Sequence, residues 1–114
     1  MAHATLTNGV GRILKDIWGF EWDTGNKKKS LVKHDVSNEE CEETFFDYGK
    51  EIQKDILHSV NEDRYVLIGQ TKQKRLLYIV FTIRENRIRV ISARDINKKE
   101  QKLYYEEKNK NSKI

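Results

Sequence analysis

The alternation of apolar and polar side chains predicts four β-strands. Four segments alternate with period two or are rich in β-branched and aromatic residues: 17–23, 64–71, 75–84 and 87–94. In the first of them, Trp18, Phe20 and Trp22 fall on one side of the chain and are expected to be core residues. Short loops join the last three strands, and Asn86 tolerates the positive φ of a tight hairpin turn. These three strands are therefore predicted to form an antiparallel meander.

Helix signals separate the first strand from the meander. Residues 26–34 are predicted to form a short helix in which Leu31 and His34 share one face. Ser37 and Glu40 have the spacing of a capping box, which predicts the start of a second helix. The apolar stripe of this second helix comprises Cys41, Phe45 and Tyr48.

A third helix is predicted after the meander, over residues 98–108. Asn97 and Glu100 have capping-box spacing at its start, and Leu103 and Tyr104 form its apolar side. The pair Glu100 and Tyr104 is separated by four residues, so the two side chains are neighbours on the helix surface.

The remaining segments carry weaker patterns. Residues 49–63 are predicted to form a loop with a short extended piece at Ile56–Leu57. The fold class is α+β, with a four-stranded antiparallel sheet and helices packed on one face. The domain is expected to span 17–108, preceded by a flexible arm or non-native addition at 1–16 and followed by a frayed tail at 109–114.

Composition excludes several classes of protein. The chain has 114 residues, enough for one domain, and a single cysteine, Cys41, so no intrachain disulfide can form. No apolar run approaches the length that spans a membrane, and nothing resembles a signal peptide, so a cytoplasmic location is expected. The three histidines and one cysteine lack metal-ligand spacing, so we expect neither a metal nor another cofactor.

Charge is distributed unevenly along the chain. Residues 35–63 contain ten acidic residues and two lysines, a net charge of −8, whereas the whole chain carries +4. The rest of the chain therefore carries +12, which indicates a surface that binds a polyanion. The alternative is that these charges are ordinary solvated side chains.

Eight short motifs run in order from about Phe20 to Glu106, and the most specific is the heptapeptide after the hairpin. The motifs are FEWD at Phe20–Asp23, KH at Lys33–His34, S-x-E-E at Ser37–Glu40, HS at His58–Ser59, E-x-R-Y at Glu62–Tyr65, IG at Ile68–Gly69, IRVISAR at Ile88–Arg94 and E-x-x-x-Y at Glu100–Tyr104. The ordered set resembles the BrnT-type toxins of bacterial toxin–antitoxin pairs.

The resemblance implies a RelE-like fold and metal-independent ribonuclease activity that shuts down translation. It also implies a hetero-oligomer with a cognate, BrnA-like antitoxin that has a ribbon-helix-helix part. One departure from the family pattern concerns the backbone, because Asp35 stands where the family usually has glycine after the KH pair. A helix stop there favours glycine at positive φ.

RNA is cleaved without metal when its own 2′-OH attacks the adjacent phosphate, and arginine suits the phosphate because its planar group donates two parallel hydrogen bonds. Arg64, Arg89 and Arg94 lie in the motifs and are our candidates for both catalysis and RNA binding. Arg89 and Arg94 have opposite parity on an ideal strand, so they share a face only if a bulge intervenes or if Arg94 lies beyond the strand. The alternative is that they are solvated or pair with Glu62 and Glu100.

Proton transfer requires further side chains. His34 is a candidate proton carrier and Lys33 a candidate RNA contact, although His34 could equally end the first helix and pack beside Leu31. Glu62 could orient Arg64 or act as general base, and Tyr104 could serve as an acid or stack on a base. The alternative for Tyr104 is core packing, with its hydroxyl bonded to Glu100.

Three functions are compatible with these features. The first is a toxin that cleaves RNA as an endonuclease and thereby inhibits translation. The second is a non-catalytic RelE-fold partner that binds an antitoxin and co-represses its operon, and the third is a generic basic nucleic-acid-binding module. A neighbouring gene for a ribbon-helix-helix protein, and growth arrest with cleaved RNA ends, distinguish them.

Overall fold

A computed structural model describes residues 14–23 and 34–112, excluding the side chains of 107–112. Four strands form one antiparallel sheet in the order β1-β2-β3-β4. The elements in chain order are helix α1 (Asn38–Phe45), β1 (Glu51–Lys54), a 3-10 helix (Ile56–His58), β2 (Tyr65–Gln70), β3 (Leu76–Arg84), β4 (Arg87–Asp95) and helix α2 (Lys98–Ser112). The α+β class, the four-stranded antiparallel sheet and the meander are confirmed.

The first strand of the sheet differs from the prediction. It is Glu51–Lys54, which pairs with β2 at the edge where a loop was expected. The prediction of a strand at 17–23 was wrong, because this segment makes only an isolated parallel bridge with β4, between Phe20 and Ile88. The alternation nevertheless has a physical basis, since Phe20 and Trp22 pack against the core.

One face of the sheet carries the main hydrophobic core. Cys41 and Phe45 of α1 pack there against residues such as Leu67 and Phe81, which are fully buried. Burial raises the pKa of the Cys41 thiol to about 12, so this side chain is a neutral packing group at physiological pH. The helix lies so close to β2 that a Cβ at Gly69 would come within 2.9 Å of the Thr44 carbonyl oxygen.

Helix α2 contacts the opposite face of the sheet. Leu103 lines a hollow together with Ile68 and Tyr78, whose side chains alternate with those of the main core. Ile68 and Tyr104 are buried but lie outside the main core cluster. The two helices therefore do not share one face, because the inner strands β2 and β3 have apolar residues of both parities to cover.

The two capping boxes are confirmed. The Ser37 hydroxyl accepts from the Glu40 backbone N–H, and the Asn97 side chain accepts from that of Glu100, while both glutamates bond back to the cap residue. Helix α1 ends at Phe45, so Tyr48 is fully exposed and not part of an apolar stripe. Helix α2 runs to residue 112 rather than 108.

Two segments predicted before the meander, and its hairpin turn, complete the comparison with the sequence. Ile56 and Leu57 were expected in an extended piece, but they lie in the 3-10 helix and are largely exposed. The helix expected at 26–34 lies outside the described residues except for His34, which is helical. The β3–β4 turn is the tight hairpin expected, with positive φ at both Glu85 and Asn86.

Asp35 adopts the backbone conformation that the family's glycine favours. Its φ is +53°, directly after His34. We therefore expect Asp35→Gly to raise the free energy of unfolding by roughly 0.5–1 kcal/mol, because glycine reaches this region without steric cost. Urea denaturation measures this change. Asp35→Ala is the control and should destabilise the protein, and a loss of stability in the glycine variant would contradict the argument.

Candidate functional site

A β-bulge in β4 decides which side chains share a face with Arg94. Ser92 pairs with Val80 and Val90 with Phe81, so Ile91 is an extra residue on β4. Arg94 consequently pairs with Tyr78 and Arg89 with Thr82, which have the same parity on β3. Arg89 and Arg94 were expected to share a face only if a bulge intervened or Arg94 lay beyond the strand. The bulge is present, and the two arginines lie on one face, about 13 Å apart along the sheet.

Arg64 belongs to the same face. The Thr82 hydroxyl donates to the Asp63 carbonyl oxygen at 2.7 Å, and the β2–β3 register, continued by one residue, puts Arg64 opposite Thr82. Arg64 and Arg89 thus flank Thr82 in one row across three strands, with backbones roughly 10 Å apart. Five arginines of this parity define what we call the arginine face: Arg64, Arg84, Arg87, Arg89 and Arg94.

Arg94 is held in a fixed orientation. Its two terminal nitrogens donate to the two carboxylate oxygens of Glu100 at 2.9 and 2.7 Å, and its guanidinium carbon lies 3.9 Å from the centroid of the Tyr78 ring. The hydrogen bond from Arg94 lowers the pKa of the Glu100 carboxyl, so this carboxylate is charged at neutral pH. The guanidinium is preorganised, with about a third of the side chain exposed.

Arg89 is anchored by the segment that runs along the edge of β4. One terminal nitrogen, Nη1, donates to the carboxylates of Asp23 and Glu21. Nε and Nη2 of Arg89 make no hydrogen bond within the described residues. The hydrogen bond with Asp23 raises the pKa of Arg89, so its charge is permanent.

The guanidinium of Arg64 differs from those of Arg89 and Arg94, which bond to carboxylates. Its backbone is held firmly, because its N–H donates to the Ser59 hydroxyl at 3.0 Å and its carbonyl oxygen accepts from the Asp55 N–H at 2.7 Å. Across residues 14–23 and 34–112, no hydrogen bond or ion pair engages its side chain. Within this part of the chain, Arg64 therefore presents a cation without a bonded partner at the start of β2.

Glu62 pairs with a different arginine from the one proposed. Its carboxylate accepts from Nε and Nη2 of Arg84 at 3.3 and 3.2 Å, and no contact with the Arg64 side chain is present in the described part of the chain. The suggestion that Glu62 orients Arg64 was wrong. Glu62 nevertheless lies at the end of the arginine face, two residues before Arg64.

Tyr104 does not reach the surface. Its side chain is fully buried, and its hydroxyl donates to Asp47 at 2.7 Å rather than to Glu100, which is engaged by Arg94. Burial raises the pKa of the Tyr104 hydroxyl, so it stays protonated at neutral pH. Because a catalytic group must touch the RNA, the structure favours the packing alternative for Tyr104.

His34 lies in a different network. Its carbonyl oxygen accepts from Arg75 at 3.2 Å, and its side chain lies near enough to Asp95 to help lower the pKa of that carboxyl, after the stronger effect of the Arg75 hydrogen bond. Asp95 pairs with Leu77 and so lies on the core face of the sheet, and the structure therefore does not bring His34 into contact with the arginine face. Lys33 lies outside the described residues.

The sequence analysis did not identify three residues at or beside the arginine face. Arg84 and Arg87 face each other across the β3–β4 hairpin, and the Arg87 guanidinium carbon lies 4.5 Å from the centroid of the Trp18 ring. Trp18 was expected in the core but its side chain is largely exposed. The repeated arginines around the hairpin turn were the available signal for Arg84 and Arg87.

Comparison with protein families shows which family this chain belongs to. Residues 22–100 match the family model described as the ribonuclease toxin, BrnT, of type II toxin–antitoxin systems. The chain belongs to the BrnT family. The match contains all five arginines of the arginine face, whereas Trp18 precedes its start. No curated protein matches the chain.

No described helix is both long and apolar enough to cross a membrane. Within residues 14–23 and 34–112, no three side chains of the types that ligate metals come together as a metal site.

Proposed function

We propose that this chain is the RNA-cleaving toxin of its toxin–antitoxin pair and that it cuts RNA on the arginine face without a metal. The observation that carries this proposal is the bulge at Ile91. It aligns Arg89 and Arg94 with Arg64 on one face of a rigid sheet. A bulge that re-aims one side chain is a feature typically found next to active sites.

The arginines match the charge that develops during the reaction. The RNA 2′-oxygen attacks the adjacent phosphorus while the bond from phosphorus to the 5′-oxygen breaks, which leaves a 2′,3′-cyclic phosphate and a 5′-hydroxyl. The phosphoryl oxygens carry the most negative charge in the transition state, where preorganised guanidinium groups stabilise them most. Nε and Nη2 of Arg89 lie on one edge of the guanidinium and suit a bidentate phosphate contact.

Two proton transfers complete the reaction. A base accepts the proton of the 2′-OH, and an acid donates one to the departing 5′-oxygen. We assign the base to Glu62, because its carboxylate lies at the arginine face and, among the described residues, bonds to one arginine, whereas Glu100 is engaged on both oxygens by Arg94. His34, the candidate for the acid, lies beside Asp95 and off the arginine face, so it reaches the departing 5′-oxygen only if the RNA extends past the end of β4. Lys33 stays the candidate for a further RNA contact.

The test is cleavage of single-stranded RNA by purified, antitoxin-free protein. We expect fragments that end in 2′,3′-cyclic phosphate and 5′-hydroxyl, and an unchanged rate in EDTA. Glu62→Gln should lower kcat, with circular dichroism as the folding control. A folded protein that leaves RNA intact, or whose activity disappears in EDTA and returns with a divalent metal, would contradict the proposal.

A second candidate function is favoured by the ion pairs of the site. Arg89 and Arg94 are already bound to carboxylates, as expected of structural arginines in a non-catalytic partner that only binds an antitoxin. Induction of the chain alone separates the two functions. The ribonuclease arrests growth and leaves cleaved RNA, whereas the non-catalytic partner does neither.

The antitoxin is proposed to cover the arginine face. The +12 charge outside residues 35–63 is complementary to an acidic surface of a small ribbon-helix-helix partner. The antitoxin would then inhibit the toxin because RNA and antitoxin compete for one surface. Co-purification from the native operon tests the complex. Recovery of the toxin alone, with the antitoxin expressed and folded, would contradict it.

A further inference from the structure

Trp18 is largely exposed, although tryptophan side chains are usually mostly buried. About two thirds of its surface is accessible, although the short segment that carries it places Phe20 and Trp22 against the core. Trp22 also satisfies its indole N–H through a 2.7 Å hydrogen bond to Glu42. An exposed large aromatic ring on a polar protein marks an interaction site more often than a solitary aliphatic residue does.

The ring is held in place at the border of the arginine face. The Trp18 backbone N–H donates to the Asn86 carbonyl oxygen at 3.2 Å, and the Ile88 N–H donates to the Gly19 carbonyl oxygen at 2.9 Å. The Arg87 guanidinium stacks on the indole, 4.5 Å from its centroid. These contacts fix the position of the ring in the free protein, which reduces the entropy lost when a ligand binds.

One guanidinium lies against the ring, and two further arginines lie on the same pair of strands. Arg87 pairs with Arg84 across the hairpin, and Arg89 lies two residues further along the same strand. A flat aromatic surface beside several guanidinium groups is complementary to a nucleotide, which joins a planar base to a phosphate. The same combination recurs where proteins hold single-stranded RNA.

We propose that Trp18 and Arg87 form a stacking site for one unpaired base of the RNA, outside the cleavage site itself. The inference rests on the proposed function and adds a subsite to it. Unpaired bases can be splayed out and stacked, whereas bases within a duplex cannot, so the site selects single-stranded RNA. Because every base has a π-face, the site tolerates different bases.

Fluorescence reports on the ring directly. The chain has two tryptophans, so Trp22→Phe leaves Trp18 as the only one. The probe is a single-stranded 2′-O-methyl oligoribonucleotide, which has no free 2′-OH and is not cleaved. We expect it to quench Trp18 emission at saturation, whereas a strand of equal length and charge with abasic sugars should bind more weakly and quench little.

Variants separate stacking from structure. Trp18→Ala should weaken binding of the 2′-O-methyl strand about 10- to 100-fold and raise KM for cleavage with little change in kcat. Trp18→Tyr should restore most of the affinity, and Arg87→Ala should weaken binding without removing the quenching. Tyr48→Ala is the matched control, since Tyr48 is a fully exposed aromatic residue in the turn after α1.

The outcomes are distinguishable. Equal quenching by the abasic strand, or unchanged affinity in Trp18→Ala, overturns the stacking site. If Trp18→Ala binds RNA normally but loses the antitoxin, the ring is a protein contact and the inference is wrong. If the 2′-O-methyl strand quenches Trp18 but unmodified RNA is never cut, the stacking site stands and the proposed ribonuclease function fails.

Discussion

Replacing Arg64, Arg89 or Arg94 by alanine is expected to slow RNA cleavage about 100-fold each, because one preorganised contact to the transition-state phosphate contributes on the order of 3 kcal/mol. The charge on the phosphoryl oxygens is larger in the transition state than in bound RNA, so the loss should fall mainly on kcat. Single-turnover cleavage of a short RNA by purified protein measures it.

Stability must be separated from chemistry in these variants. Arg89→Ala and Arg94→Ala each remove an ion pair with a carboxylate, whereas Arg64→Ala breaks no side-chain hydrogen bond or ion pair within the described residues. Arg64→Ala is therefore the cleanest test, and Arg64→Lys should rescue poorly if the contact is bidentate. Lys72→Ala, an exposed cation of the β2–β3 loop, controls for charge. Wild-type rates in all three alanine variants would exclude this site and direct attention to His34 and Glu62.

Arg75→Ala is expected to lower the free energy of unfolding by roughly 2–3 kcal/mol, since it removes several hydrogen bonds to charged or carbonyl partners. The Arg75 guanidinium joins the Glu40 and Asp95 carboxylates and donates to the carbonyl oxygens of His34 and Asp35. Arg75 thus connects the residues just before α1, and the first turn of α1, to the end of β4. Partial exposure of the carboxylates keeps the loss below that of a fully buried network.

The control for this prediction is Arg84→Ala on the same strand. The side chain of Arg84 is half exposed and, in the described part of the chain, has one carboxylate partner, Glu62, so its loss should cost about 0–1 kcal/mol. Urea denaturation of both variants gives the comparison. Equal losses would show that the Arg75 network contributes no more than an ordinary surface pair.

The pH dependence of this difference has a definite sign. The hydrogen bond from Arg75 lowers the pKa of Asp95, and the pKa of Glu40 is lowered too, because hydrogen bonds from Ser37 and Arg75 outweigh the opposing effect of burial. Carboxyls with a folded pKa below the unfolded one stabilise the protein above the unfolded pKa, near 4, and lose that effect as pH falls through the folded pKa. The gap between wild type and Arg75→Ala should therefore be largest at neutral pH and shrink on acidification.

Much of the fold could be predicted because its signals are local. The meander from β2 to β4 follows from β-branched and aromatic residues and from a turn whose Asn86 adopts positive φ. Both capping boxes lie where the spacing of Ser37 and Asn97 with their glutamates predicted them. Each signal involves neighbours within a few residues, so no tertiary contact was needed to read it.

The fourth strand was not predictable in this way. Glu51–Lys54 is four residues long with little alternation, and it is a strand because β2 offers it a free edge to pair with. The 17–23 segment alternates more cleanly, yet pairs with β4 at one bridge only. Strand pairing is a property of two segments, so the pattern within one of them does not decide it.

The sequence by itself determined the residue types of the site, because the order of the motifs places Arg64, Arg89 and Arg94 near adjacent strands of a basic meander. Only the tertiary structure decided which of the candidates meet. A single extra residue, Ile91, reverses the parity of β4 and brings Arg89 onto the face of Arg94, while the packing of α2 buries Tyr104. Parity across a bulge and burial beneath a distant helix depend on contacts between elements far apart in the chain, which no local pattern encodes.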